Sequence, residues 1–306
     1  MKRIIFPATN RVHLARQQLL ISELKKSFEV DVWQPKTARG PLGIFSIIAA
    51  IEFNNYLASH PADLVLIRGD RAEMLGLAMV SLYRGLKIAH IEAGDLSGRV
   101  CLDDKIRHAV SRLADIHFAT NDESLVRAIN MGAAPTTTWN LGSLDVSFAK
   151  SCIRGFKVHY FGKKYIVVCH HPLVGEDVRE IEKGLKGYKG RIIRIKSNSD
   201  QGIAYGNEEY EPEKYIRLLA GAECLVGNSS SFLKEASIFG TPVLNLGGRQ
   251  ASRLKPHNVL DVPVSAQKIR RALRYQLSQG RYDPSLVYYK PDTEREMRLR
   301  LEDFLA

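Results

Sequence analysis

The chain has 306 residues, 45% hydrophobic and 25% charged, with a formal net charge of +11. That is globular composition, long enough for two cores of about 150 residues each, and the positive excess suits an anionic small molecule, nucleic acid or an anionic surface. Four scattered cysteines, Cys101, Cys152, Cys169 and Cys224, form no CxxC pair and argue against a disulfide framework or a zinc site.

Short β-branched runs alternate with segments of helical period, the signature of βαβ units and parallel sheets. Strands are predicted at RIIFPA, FEVDVW, ADLVLIRG, LKIAHIEA, DIHFAT and TTTWNLG, with helices near 12–26, 44–59, 72–84, 104–113 and 123–131. The segment GIFSIIAAIEF is too short to span a bilayer and is interrupted by Glu52, and MKRIIFPATN lacks a long apolar leader, so a cytoplasmic chain with no membrane partner is expected. From Ser143 to Lys164 the period is lost, and KYIVVCHHP opens a second series. Its strands fall at GRIIRIKS, ECLVGN, TPVLNLG and NVLDV, and its helices at DVREIEKGLKG, EPEKYIRLLAGA, SFLKEASIFG and SAQKIRRALRYQLSQG. An amphipathic stretch, TEREMRLRLEDFLA, ends the chain.

The fold class is therefore α/β: two Rossmann-like domains with parallel sheets, 1–148 and 149–285, and a terminal segment, 286–306, expected to pack back on the first. Such sheets bind ligands at the carboxyl ends of their strands, here in a cleft between the domains. The basic runs KKYIVV, KGLKGYKGRIIRIK and KIRRALRYQ sit beside strands and helices and form no tail. No RNP, zinc-finger or helix-turn-helix spacing accompanies them, so no nucleic-acid partner is expected.

Polar residues collect at the predicted strand ends. Asp70 follows DLVLIRG, Glu92 follows KIAHI, His171 follows YIVVCH, and Asn228 to Ser231 follow ECLVG. The stretch HIEAGDLSGRVCLDDKIRHAVSRLAD packs Glu92, Asp95, Asp103 and Asp104 among Arg99, Arg107, His90 and His108, more ionisable groups than a connection needs. Each has a plain alternative: Asp70 or Asp103 as a helix cap, Glu92 paired with Arg107, and one of His170 and His171 buried. Ser229 and Ser230 begin a helix, where free N–H groups bind phosphate or the hydroxyls merely cap. Glu235 is either a sugar-hydroxyl acceptor or an exposed helix charge, and Arg249 either grips a diphosphate or forms a surface salt bridge. Arg11 stands in the first strand-to-helix loop, which lacks the GxGxxG of a nicotinamide site.

Taken together, GDRAEM, HIEAGDLSG, LDDKIRHAVSRLADIHF, HHP, SNSDQG, GNSSSFLKEASIFGTPVLNLGGRQ and NVLDV resemble the UDP-N-acetylglucosamine 2-epimerase family across nearly the whole chain. The likeness is closer to its hydrolysing branch, which releases UDP and N-acetylmannosamine for sialic-acid-type sugars. The resemblance implies a GT-B-like fold, a UDP-sugar substrate, no metal or nicotinamide cofactor, and a homo-oligomer, dimer or tetramer. On matching positions it makes Asp70, Glu92 and Asp103 catalytic carboxylates supported by Asp104 and Arg107, with His171 near the diphosphate. It gives UDP to Arg11, Asn198, Ser229, Ser230, Glu235 and Arg249. The implied chemistry eliminates UDP to a 2-acetamidoglucal and then adds water, which needs acid and base groups on two faces of the sugar. Other uses of such a chain are a GT-B glycosyltransferase or a catalytically silent nucleotide-sugar-binding protein.

Overall fold

A computed structural model describes residues 1–9, 11–36, 41–98, 102–155, 164–197 and 205–306, the side chains of 11–13 and 42 excepted. The chain divides into two compact units: unit 1 holds Met1–Leu96, Val100–Ser147 and Tyr289–Ala306, and unit 2 holds Ser97–Arg99 and Phe148–Tyr288.

Unit 1 is built on β1 (Arg3–Pro7), β2 (Glu29–Trp33), β3 (Leu64–Arg68), β4 (Lys87–Ile91), β5 (Ile116–Ala119) and β6 (Thr138–Asn140). They form one parallel sheet in the order β2-β1-β3-β4-β5-β6. Alternate side chains serve opposite faces, as the period of two requires. Ile4, Phe6, Leu64 and Leu66 pack with Leu20 and Leu24 of α1 (Arg11–Leu24) and Met297 and Leu301 of α11 (Thr293–Leu305). Ile5, Val65 and Ile67 pack instead with Phe53 of α2 (Leu42–Ser59) and Leu77 of α3 (Ala72–Tyr83). Each fully buried aliphatic or aromatic side chain contributes about 1.5–3 kcal/mol. The terminal helix is further tied down by Arg298 Nε donating to Glu23 at 3.0 Å and Thr293 Oγ1 donating to the Leu141 carbonyl at 2.8 Å. Outside the core, Ile44, Ile47 and Ile51 of α2 and Met79, Leu82 and Tyr83 of α3 stay exposed.

Unit 2 repeats the plan with β7 (Tyr165–Cys169), β8 (Arg191–Arg194), β9 (Cys224–Gly227), β10 (Val243–Leu246) and β11 (Val259–Val262), parallel, in the order β11-β10-β9-β7-β8. Helices α7 (Arg179–Leu185), α8 (Pro212–Gly221) and α10 (Ala266–Gln279) flank it. In both sheets the winding direction reverses once, between β1 and β3 and between β7 and β9, and such reversals open a crevice at the strands' carboxyl ends. Among the described residues no helix is long and apolar enough to cross a membrane.

Three elements differ from the sequence expectations. The stretch without period contains α6 (Leu144–Cys152), whose nine residues are too few to display a repeat. TTTWNLG keeps strand geometry only at Thr138–Asn140, because Pro135 opens a 3₁₀ turn over Pro135–Thr137. SFLKEASIFG is two pieces, α9 (Ser230–Leu233) and a 3₁₀ segment, Glu235–Phe239. Ser231 to Phe239 are all buried, so packing on every side replaces the one-sided pattern that sustains a longer helix.

Candidate functional site

At the carboxyl ends of β3 and β4, two carboxylates stand on neighbouring strands, each beside its own buried arginine. Asp70 pairs with Arg107 of α4 (Leu102–Leu113), and Arg107 Nη1 also reaches Asp104 Oδ1 at 3.3 Å. Arg107 and Asp104 are almost wholly buried. Glu92 accepts from Arg68 Nη2 at 2.9 Å and Nε at 3.2 Å, and Arg68 also pairs with Asp145 Oδ2 at 2.8 Å. Arg16 of α1 closes this network on Asp145 at 3.3 Å. The alternative pairing of Glu92 with Arg107 is therefore corrected: Arg107 serves Asp70 and Asp104, and Glu92 has Arg68.

Glu92 adopts φ 70°, in the left-handed region that non-glycine residues avoid at a cost on the order of 1–3 kcal/mol. Residues held in such sparsely populated regions cluster at binding and catalytic sites. Asp103 occupies the exposed side of the first turn of α4, one residue before buried Asp104. Arg11 opens α1, but its side chain lies outside the described residues, as do Asn198, Arg99 and Cys101. Burial pushes the Glu73 carboxyl up, yet the Thr9 hydroxyl and the Arg71 guanidinium hold it below the usual carboxylate range, tying the first loop to α3.

Within HIEAGDLSGRVCLDDKIRHAVSRLAD, His90 and Asp95 hold structural partners. His90 is fully buried, with Nε2 3.0 Å from the Gly69 carbonyl and Nδ1 3.0 Å from Ser111 Oγ. A carbonyl only accepts, so Nε2 carries the proton and Nδ1 accepts from the serine hydroxyl. The ring thereby fixes the turn that presents Asp70. Asp95 accepts from Thr120 Oγ1 at 2.6 Å.

Burial lowers the His90 pKa to about 4 from the ordinary 6.5. Above pH 6.5 the ring is neutral whether the chain is folded or not. Below it the unfolded chain takes up the proton first, so stability falls as pH drops towards 4. Chemical denaturation at pH 7 and pH 4.5 is expected to show a His90-specific loss of roughly 2–3 kcal/mol, absent from His90→Gln. An equal pH dependence in the variant would remove His90 as its source.

In unit 2, Asn228 sits where β9 ends and spans the reversal to β7. Its Oδ1 accepts from the His171 amide at 2.7 Å and its Nδ2 donates to the His171 carbonyl at 2.8 Å. Gly227, at φ 142°, permits this closeness, since a Cβ there would collide with the Cys169 carbonyl. Arg249 Nη1 donates to the Asn228 carbonyl at 3.1 Å and Gln250 Nε2 to the same oxygen at 2.9 Å. This backbone contact anchors the guanidinium beside the serines. Ser229 Oγ lies 2.8 Å from Ser231 Oγ, which lies 2.6 Å from the Tyr215 hydroxyl, and Ser229 makes no side-chain cap. Glu235 is buried at the start of the 3₁₀ segment, which excludes the exposed-charge reading. Burial pushes the Cys169 thiol up to about 11, so it stays protonated near neutral pH.

Of the adjacent histidines, His170 is fully buried, with Nε2 2.9 Å from Glu176 Oε2, while His171 is partly exposed.

Residues 42–298 match the family described as UDP-N-acetylglucosamine 2-epimerase. The chain belongs to that family. A Legionella pneumophila relative named UDP-N,N'-diacetylbacillosamine 2-epimerase (hydrolyzing) is 31% identical over 265 residues, covering 77% of this chain and 70% of the relative. A Neisseria meningitidis UDP-N-acetylglucosamine 2-epimerase is 30% identical over 257 residues, covering 76% and 68%. The Methanocaldococcus jannaschii UDP-GlcNAc 2-epimerase solved in complex with UDP-GlcNAc and UDP aligns with a TM-score of 0.80 at 17% identity, over 99% of this chain and 100% of that one. The epimerase fold is thus shared: two parallel-sheet, Rossmann-like units of GT-B type.

Within this epimerase-family chain, sequence reasoning missed Arg68, Asp145 and Glu176. Arg68 was hidden inside a strand pattern. Asp145 had a signal, a small polar residue, Ser143, followed by an acid and an apolar run, which marks a helix start. Glu176 had none, because its link to His170 depends on the turn in which the Leu173 amide donates to Glu176 Oε2 at 3.0 Å.

Proposed function

We propose that the chain is a hydrolysing UDP-N-acetylglucosamine 2-epimerase, or a close variant acting on a related UDP-linked 2-acetamido sugar. The observation that supports this best is the pair Asp70 and Glu92, two carboxylates at the adjacent ends of β3 and β4, with Glu92 held at φ 70°. A glycosyltransferase using a UDP-sugar has no need of that pair. The 31% identity to a relative named as hydrolyzing favours the water-adding branch.

In this reading unit 2 binds UDP through Ser229, Ser230, Glu235 and Arg249, with His171 beside the diphosphate. Unit 1 supplies the proton chemistry. One carboxylate removes the C2 hydrogen as the C1–O bond breaks, and the bonding electrons leave with UDP while donors balance the growing phosphate charge. The product of this half is a 2-acetamidoglucal. Water then adds its oxygen to C1, and an acid returns a proton to C2 from the opposite face. Atoms balance as substrate plus water giving UDP plus the C2-inverted free sugar.

Incubation with UDP-N-acetylglucosamine in heavy water, followed by NMR of the products, tests the reading. The expected products are UDP and a free inverted sugar carrying deuterium at C2. Retained hydrogen at C2 would overturn elimination, and an inverted sugar still joined to UDP would assign the non-hydrolysing branch. Calorimetry with Arg249→Ala is expected to show UDP binding weakened by about 1.5–3 kcal/mol. The exposed apolar residues of α2 and α3 support a homo-oligomer in the same reading, and sedimentation of a monomer at micromolar concentration would remove it.

A further inference from the structure

The three basic runs, scattered in sequence, meet in one place. Lys164, Lys186, Lys189, Arg191, Arg270 and Arg274 line a single cavity of about 850 Å³ in unit 2, whose one acidic lining residue among the described residues is Glu223. The topology explains the gathering. Lys164 precedes β7, Arg191 opens β8 and Glu223 precedes β9, and parallel neighbours all begin at the same sheet edge. Backbone bonds hold that edge closed: the Arg191 amide donates to the Lys164 carbonyl at 3.0 Å, and the Glu223 amide to the Tyr165 carbonyl at 2.9 Å. Gly184 lets α7 approach α10, since a Cβ there would lie 2.8 Å from the Ile269 side chain. The approach sets Arg270 and Arg274, one turn apart on α10, alongside the loop carrying Lys186 and Lys189.

The charges are neutralised from within only in part. Glu223 is shared by the Tyr188 hydroxyl at 2.7 Å and Lys164 at 3.3 Å, and Arg191 pairs with Glu208 at 3.0 Å. Among the described residues, the side chains of Lys186, Lys189 and Arg274 make no hydrogen bond or ion pair. Arg270 Nη2 donates to the Lys183 carbonyl at 2.7 Å, while its Nε is buried without a partner among those residues. Leu185, Leu273 and Leu277 give the cavity an apolar floor. Four cations, Lys186, Lys189, Arg270 and Arg274, are left without an acidic partner among the described residues, and around a concavity with an apolar base they suit a compact anion carrying several charges. A nucleic-acid strand calls for an extended groove with stacking aromatics instead.

We propose that this cavity is a second anion site, taking a multiply phosphorylated small molecule of nucleotide size. It lies at the amino ends of the strands, whereas His171 and Asn228 lie at the carboxyl ends. A five-residue strand, β7, separates the two by about 15 Å. The site therefore stands independently of where UDP binds.

Calorimetric titration of the full chain with tripolyphosphate, in excess UDP, tests it. One equivalent is expected to bind, with affinity at least about tenfold weaker in the triple variant Lys186→Ala, Lys189→Ala, Arg274→Ala. All three side chains are exposed, so circular dichroism and UDP affinity should match the parent. Glu223→Gln keeps an acceptor for Tyr188 but removes a negative lining charge, and is expected to tighten binding. Displacement by UDP, equal affinity in the triple variant, absence of binding, or tighter binding of a single-stranded 20-mer at physiological salt would each overturn the proposal.

Discussion

Glu92→Gln is expected to lower kcat by about 10²- to 10⁴-fold while leaving UDP affinity within about twofold, because a general acid or base contributes that much and UDP is assigned to other residues. The loss corresponds to about 2.7–5.4 kcal/mol of transition-state stabilisation. Glutamine preserves the shape and an oxygen acceptor for Arg68, so the guanidinium keeps both neighbours and the fold is retained. Glu92→Gly supplies the second control. Glycine adopts φ 70° freely, so this variant loses the carboxylate and the backbone strain together. A purely structural Glu92 would leave turnover near normal in Glu92→Gln, and that result would end its catalytic assignment. Asp70→Asn is expected to show a comparable fall. The combined variant should lose less than the product of the two, since both half-reactions pass through one intermediate.

Comparing Asp103→Asn with Asp104→Asn separates two neighbours that sequence spacing does not distinguish. Asp104 is buried on Arg107, which also holds Asp70. Its charge therefore acts on the position of Asp70 and on stability. Asp103 lies on the exposed side of the same turn, so Asp103→Asn tests proton transfer with the Asp104–Arg107 pair left in place.

The strand ends were legible in the sequence for a physical reason. A parallel strand covered on both faces is a continuous apolar run, and the first polar residue past its end marks the sheet's carboxyl edge. Asp70, Glu92 and Asn228 were found that way. What each carboxylate pairs with was not legible, because pairing joins residues remote in the chain. Arg68 belongs to β3 and Asp145 to α6, and no periodicity links them. The buried charge of Arg68 was masked by its position in a strand-like run. The convergence of the basic runs was equally hidden: it follows from strand order, and strand order is not written in local pattern.

Arg68→Met is expected to be among the most destabilising single changes at the site. Burial alone lowers the Arg68 pKa, but Asp145 and Glu92 outweigh it and raise the value above its ordinary position, so the guanidinium remains charged. Methionine fills comparable volume while leaving two carboxylates without that cation. Removing one partner of a buried pair typically costs about 3–5 kcal/mol. For a unit of this size the shift in Tm is on the order of 10 °C. Asp145 retains Arg16 at 3.3 Å. The sign of a second change at Glu92 follows from the charge that Arg68 balances there. Adding Glu92→Gln to Arg68→Met removes one of the two charges that lost this cation and is expected to restore part of the lost stability, about 1–2 kcal/mol by the usual size of coupling between contacting residues. A packing role for the arginine stem alone predicts no such recovery. Thermal unfolding of the parent, both single variants and the double variant completes the cycle. A Tm for Arg68→Met within about 2 °C of the parent, or a double variant less stable than Arg68→Met, would show that Arg68 does not hold Glu92 in place through charge.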